Sequence, residues 1–406
     1  MAFIVQKFGG TSVADLDRIR NVAQRVKTEV DQGHQVAAVV SAMAGTTNQL
    51  VEWAREIGPI HDAREYDTIV AAGEQVTVGL LSIALQNIGV DARSWLAWQL
   101  PVKTDEIHGA ARILNIDITQ VRERLLSGQV AVVAGFQGID PNGRISTLGR
   151  GGSDTSAVAL AAALAADRCD IYTDVDGVYT TDPRIAPKAR KLESVTYEEM
   201  LEMASLGAKV LHTRSVAMAM RHDVNLQVRS SFSDAPGTFV VDEDAIVEQE
   251  KISGIAYSPD EAKITIQGLP DQPGIAASVF GQLADQHVNV DMIVQSASSD
   301  TQKTDITFSI SREDMKKAVG IIEQNKDKLK YSGIEPTENV TKISVVGVAM
   351  RSQPGVAKTM FETLAQKGVN LQVISTSEIK ISVLISSEYT ELAVRSLHTA
   401  FGLDGE

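Results

Sequence analysis

The chain has 406 residues, 44% of them hydrophobic and 22% charged, with a formal net charge of −14. That length exceeds what a single core organises and predicts two or three domains of ordinary soluble globular character. An acidic balance without a basic stripe argues against nucleic acid as a partner, no run of 18 apolar residues marks a membrane span, and the N-terminus enters a strand directly, unlike a signal peptide.

Residues 3–8 alternate and predict a first strand ending in Lys7-Phe8-Gly9-Gly10-Thr11-Ser12. From Asp15 to Val30 the apolar residues Leu16, Ile19, Val22, Ala23, Val26 and Val30 recur at helical spacing. Residues 35–40 read as a buried strand closing in Ser41, with Thr47 shortly after it, and helices follow over 48–57 and 62–88, the second holding Gly73-Glu74. Strands near 92–97 and 130–135 flank a helix near 117–127. A glycine-rich turn, Gly149 to Asp154, then opens the helix-favouring run Ala157–Ala166. The strand at 170–173 follows Cys169, a lone cysteine that leaves no internal disulfide and fits a reducing, cytoplasmic setting. After the polar stretch Asp174 to Arg184 come helices near 197–205 and 208–221 and strands near 224–229 and 238–241. This alternation over residues 1–245 predicts an α/β fold, an αβα sandwich with a mainly parallel sheet.

The stretch Asp242–Glu250 is acidic, and residues 246–262 read as a linker or extra strand. Beyond them the chain repeats: Pro273 and Pro354, and likewise Asn289 and Asn370, are 81 residues apart (354 − 273 and 370 − 289). Each copy, 263–335 and 336–406, orders its elements as a ferredoxin-like βαββαβ unit. Such units have an open sheet edge, which predicts self-association into a homo-oligomer.

Two stretches carry chemistry. In Gly149–Asp154 the expectation is a turn with Ser153 and Asp154 capping the next helix. Its backbone N–H groups would face an anion, and Arg150 offers a planar fork for a carboxylate. In Lys7–Ser12 two glycines let backbone approach a ligand, and Lys7 is a mobile point charge suited to phosphates. Neither is a P-loop, since GxxxxGK[ST] is absent. Each alone is a strand end with a tight turn; together they describe a site for two anions, where positioning and charge neutralisation suffice for phosphoryl transfer. Lys7 would stabilise the transition state and Asp154 would hold it. The seven histidines show no metal-ligand spacing, so no protein metal site is expected.

Lys7–Ser12, Gly73-Glu74, Gly149–Asp154, Thr173–Arg184 and Gly207–His212 together resemble the aspartokinases of the amino-acid-kinase superfamily, and the repeat resembles their two ACT domains. The resemblance implies an ATP-dependent kinase of the β-carboxylate of L-aspartate, feeding lysine, threonine and methionine biosynthesis and feedback-inhibited by lysine, threonine or both. ATP would be held by Lys7, Gly9, Gly10, Thr11, Ser12, Thr173, Asp174, Tyr179, Arg184 and Lys209, with Mg²⁺ riding on its phosphates. Aspartate would be held by Ser41, Thr47, Glu74, Arg150, Gly151, Gly152 and Ser153. An amino-acid effector would meet Asp271, Gly274, Ile275, Ala276, Asn289, Val290, Asp291 and Gln295 in the first copy. Val356, Ala357, Asn370, Leu371, Ser377 and Glu378 in the second would face them across a dimer interface. The alternatives are a kinase of another amino-acid carboxylate, such as glutamate, and a non-catalytic amino-acid sensor.

Overall fold

The structure, a computed structural model, describes residues 2–206, 210–243, 252–297, 302–348 and 355–405. The chain divides into two compact units: Met1–Val178, Lys191–Ser205 and Lys209–Glu248 form the first, and Tyr179–Arg190, Leu206–Ala208 and Gln249–Glu406 the second.

The first unit runs β1 (Phe3–Phe8), α1 (Leu16–Asp31), β2 (Gln35–Val40), α2 (Thr46–Ile57), α3 (Ala63–Val70), α4 (Ala72–Asn87), β3 (Ala92–Trp95), β4 (Val102–Thr104), β5 (Ile113–Ile116), α5 (Thr119–Leu126), β6 (Val130–Ala134), β7 (Gln137–Ile139), β8 (Ile145–Thr147), α6 (Gly152–Leu164), β9 (Arg168–Thr173), β10 (Ser194–Thr196), α7 (Tyr197–Ser205), α8 (Thr213–His222), β11 (Leu226–Ser230) and β12 (Thr238–Val241). Its main sheet has the order β10-β12-β11-β9-β1-β2-β6-β3, parallel except where β11 meets β12. All of β2 and β6 is buried, as in a parallel sheet covered on both faces, and their continuous apolar runs follow from that. Val22, Val26, Val36, Val78, Leu81 and Leu85 pack one covering layer together. The stretch 63–87 is long and apolar enough to cross a membrane, yet half of it is buried within the unit, where α4 packs on α1. A second sheet, β5-β4-β7-β8, consists of strands of three or four residues. Strands this short carry no readable alternation, and the sequence had indicated none of them.

The second unit is one six-stranded antiparallel sheet with helices: β13 (Gly254–Pro270), α9 (Ile275–Asp285), β14 (Val290–Ala297), β15 (Lys303–Ser311), α10 (Met315–Gln324), α11 (Lys326–Leu329), β16 (Gly333–Val346), α12 (Val356–Gln366), β17 (Val373–Thr376), β18 (Lys380–Ser386) and α13 (Thr390–Ala400). The order is β14-β15-β13-β16-β18-β17, so the two repeats merge through the β13–β16 pair. Gly254–Ser258 pairs with Lys342–Val346 of the second repeat, while Lys263–Gln267 pairs with Gly333–Thr337. Two cores result, one around Ile264, Ile266, Leu283 and Phe308, the other around Ile343, Met360, Val383 and Leu397. Residues 179–190 belong to this unit: Thr180 O accepts from Ile255 N–H, the Thr180 hydroxyl lies 2.8 Å from His398 Nε2, and the Tyr257 hydroxyl donates to Asp182.

Candidate active site

The site sits where β1, β2, β6 and β9 of the first unit end. From β1 the chain builds β2 and β6 on one side and β9 and β11 on the other, so β1 and β9 flank the point where the winding reverses. Open parallel sheets bind ligands at such a point, beyond the carboxyl ends of the strands.

Lys7, the penultimate residue of β1, places Nζ 2.5 Å from Asp154 Oδ1, with both side chains only slightly exposed. Asp154 Oδ1 makes no aligned hydrogen bond among the described residues, so the contact is an ion pair that needs proximity rather than direction. Ser153 and Asp154 are not the caps that the sequence predicted. Gly151, at φ +71°, is the N-cap of α6, which begins at Gly152, and no side chain caps it. Asp154 is instead drawn to the lysine, and the Thr155 and Ser156 hydroxyls bond back to the carbonyls of Gly151 and Gly152.

Gly10–Val13 form a single 3₁₀ turn, and α1 starts only after Asp15, whose carboxylate caps Arg18 N–H. The amides of Gly9 and Ser12 are engaged by Tyr172 O and Gly9 O. The Ser12 hydroxyl receives a 2.5 Å hydrogen bond from Ser231, and Ser231 N–H donates to Thr173 O. The loop after β11 thereby joins the ends of β1 and β9, a link invisible in the sequence because Ser231 lies 219 residues from Ser12. Thr173 donates to Asp174, which is exposed.

Gly10, Ala42 and Gly73 meet at close range. A Cβ on Gly10 would lie 3.1 Å from Ala42 O, and one on Gly73 2.6 Å from Ala42 Cβ. This approach lets Ala42 N–H donate to Glu74 Oε1 at 2.9 Å. Glu74 is 3% exposed, and its Oε2 has no hydrogen-bond partner among the described residues. Burial pushes its carboxyl up to about 7 against the opposing pull of the Ala42 amide. Ser41 and Thr47, half-buried, stand at the end of β2 and in the first turn of α2. Ser153 packs against Gly135 at the end of β6. Arg150 is exposed on the turn before α6.

Tyr179 and Arg184 lie in the second unit, where Arg184 forks onto Asp182. Lys209 lies outside the described residues. Of the expected effector residues, Asp271, Gly274, Asn289, Asp291, Gln295, Asn370, Ser377 and Glu378 are exposed. Val290, Ala276, Ala357 and Leu371 are half-buried, and Ile275 and Val356 are buried. They cluster at the starts of α9 and α12, along edge strand β14, and around β17.

The model of the amino acid kinase family matches residues 2–230, and that of the ACT domain matches 264–325 and 343–401. An aspartokinase of Pseudomonas aeruginosa is 54% identical over 406 residues, covering 100% of this chain and 98% of its own. Escherichia coli aspartokinase III, solved with aspartate and ADP in its R-state, superposes with a TM-score of 0.80 at 28% identity, covering 98% of this chain and 99% of its own. Its T-state, solved with lysine and aspartate, gives a TM-score of 0.77 at 27% identity over 98% of this chain and 99% of its own. The chain belongs to the amino acid kinase family and, within it, to the aspartokinases that carry ACT domains.

Proposed function

We propose that the protein transfers the γ-phosphoryl group of ATP to the β-carboxylate of L-aspartate at the carboxyl ends of β1, β2, β6 and β9. A carboxylate oxygen attacks Pγ, the bond from Pγ to the β–γ bridging oxygen breaks, and ADP leaves with that electron pair. The products are 4-phospho-L-aspartate and ADP, and the carboxylate, already ionised, gives up no proton. The observation that carries this reading is the ion pair of Lys7 with Asp154, which sets one cation between the two glycine-rich turns. Lys7 would neutralise charge developing on the transferring group, while Asp154 keeps its flexible stem in place.

Aspartate would bind with its ammonium on Glu74, whose unpartnered Oε2 is an acceptor awaiting a donor. Arg150 would take the α-carboxylate, and Gly151, Gly152, Ser153, Ser41 and Thr47 would line the remainder. Lys7, Gly9, Gly10, Thr11, Ser12, Thr173 and Asp174 would hold the nucleotide. Roles for Tyr179, Arg184 and Lys209 rest on the resemblance alone. ATP would enter as its Mg²⁺ complex, the cation carried by phosphates and water and supplying charge neutralisation, because Asp154 is committed to Lys7. The domain limits that go with this reading are 1–245 for the kinase, 246–262 for the linker or extra strand, and 263–335 and 336–406 for the ACT domains.

The ACT residues would bind lysine, threonine or both at a homo-oligomer interface and shift the kinase toward an inactive state. A cytoplasmic setting suits a chain whose one thiol, on Cys169, is buried and pushed up out of reactive range. The test is ADP release with aspartate, glutamate or N-acylated amino acids, repeated with lysine, threonine and both. Turnover with aspartate that the effectors suppress supports the reading. Preference for another carboxylate, or no ADP release, rejects it in favour of the other kinase or of a sensor.

A further inference from the structure

Asp67, on α3, is 0% exposed, and four donors converge on its carboxylate. Gly109 N–H reaches both oxygens at 3.1 Å, Thr147 N–H reaches Oδ2 at 2.9 Å, the Thr147 hydroxyl reaches Oδ1 at 2.5 Å, and His108 Nδ1 lies 2.7 Å from Oδ2. The other ring nitrogen of His108 is 3.5 Å from Asp140 Oδ2 and makes no hydrogen bond among the described residues. Two segments distant in sequence are thus tied to one buried charge: the loop around His108 and the end of β8. Burying a carboxylate is costly unless every lone pair is met, so this anion fixes its donors in place.

The end of β8 leads straight into the anion-binding turn. Gly149, two residues after Thr147, has φ +76°, and a Cβ there would lie 2.9 Å from Gly109 O. Ala111 N–H donates to Thr147 O, and Arg214 donates to the carbonyls of both Leu148 and Ala111. The backbone entering Arg150 is therefore held on one side by Asp67 through Thr147 and Gly109, and on the other by Arg214.

We propose that Asp67, oriented by His108, is a positioning residue for Arg150 and so sets the affinity for the amino-acid substrate without touching it. This inference rests on the reading that the Arg150 turn holds the α-carboxylate of aspartate. The geometry predicts an effect confined to one substrate, because the hydrogen bonds of Asp67 go to the His108 loop and the end of β8, and none among the described residues goes to Lys7–Ser12.

The experiment is steady-state kinetics of the full chain for Asp67→Asn, His108→Ala, His108→Asn and Arg150→Ala, each with aspartate and with ATP varied. Asp67→Asn sets an amide donor against other donors and should raise KM for aspartate by about tenfold or more, leaving KM for ATP within about twofold. His108→Ala should do the same, and His108→Asn, whose amide can stand where Nδ1–H stood, should recover most of the loss. The His108 pair decides the matter should Asp67→Asn fail to fold. If Arg150→Ala raises KM for aspartate while Asp67→Asn and His108→Ala leave it unchanged, or raise both KM values alike, the inference fails and the substrate reading stands. If Arg150→Ala itself leaves KM for aspartate unchanged, the reading of the turn fails and takes the inference with it.

Discussion

Lys7 Nζ and Asp154 Oδ1 lie 2.5 Å apart, joining the end of the central strand β1 to the first turn of α6. An ammonium on four methylenes has many rotamers, and a carboxylate at contact distance selects one. Asp154→Asn removes the charge and keeps the shape. We predict that it lowers kcat by about 10²-fold or more while the KM for aspartate changes little, since a lost transition-state contact appears in kcat. Equal falls in affinity for both substrates with kcat retained would contradict this role.

Glu74 titrates in the folded protein at about 7 instead of its ordinary 4.5 because it is buried. A carboxyl raised in the native state weakens the fold as pH climbs from the unfolded to the folded value. Between about pH 4.5 and 7 the protein should lose about 3 kcal/mol on this account, and Glu74→Gln should abolish that slope. Urea unfolding of both proteins at pH 5 and pH 8 measures it. The same substitution should also raise KM for aspartate at pH 8, where the ionised carboxylate is available to the ammonium. A fall in stability from pH 5 to pH 8 as large in Glu74→Gln as in the parent would contradict the account.

Gly73 lies where a methyl group would sit 2.6 Å from Ala42 Cβ. Gly73→Ala should push the loop after β2 away from α4 and break the hydrogen bond from Ala42 N–H to Glu74. The expected cost is about 1–3 kcal/mol of stability, together with weaker aspartate binding. Thermal unfolding and the KM for aspartate report the two effects separately.

In the second unit Lys342 is nearly buried between Glu261 Oε1 at 3.2 Å and Asp291 Oδ2 at 2.6 Å. Lys342→Met leaves the Glu261 carboxylate buried without its cation and should cost about 3–5 kcal/mol. Adding Glu261→Gln should return part of that loss. A denaturant midpoint unmoved by the single substitution would show that the cluster is open to water.

Much of this was legible in the sequence for definite reasons. The unbroken apolar run of β2 is what a strand covered on both faces requires, and the spacing of Ile19, Val22 and Val26 is that of a helix with one buried face. Lys7 and Arg150 stood out because glycines surrounded them. The break at Ala71 between α3 and α4 was not legible, since neither proline nor glycine marks it. Asp67 was hidden too: a carboxylate within a charged helical stretch reads as solvated until its donors, 41 to 80 residues away, are in place. The sequence offered Asp154 two roles, helix cap and partner of Lys7; the fold keeps the second and leaves the cap position to Gly151.

The most direct measurement is phosphorus NMR of a mixture of the protein, MgATP and L-aspartate, run beside the Lys7→Ala variant. The account predicts an acyl-phosphate signal growing in step with ADP for the native chain, and almost none for a variant that still folds. An acyl phosphate formed by Lys7→Ala at the native rate, or ADP produced equally without aspartate, would contradict it.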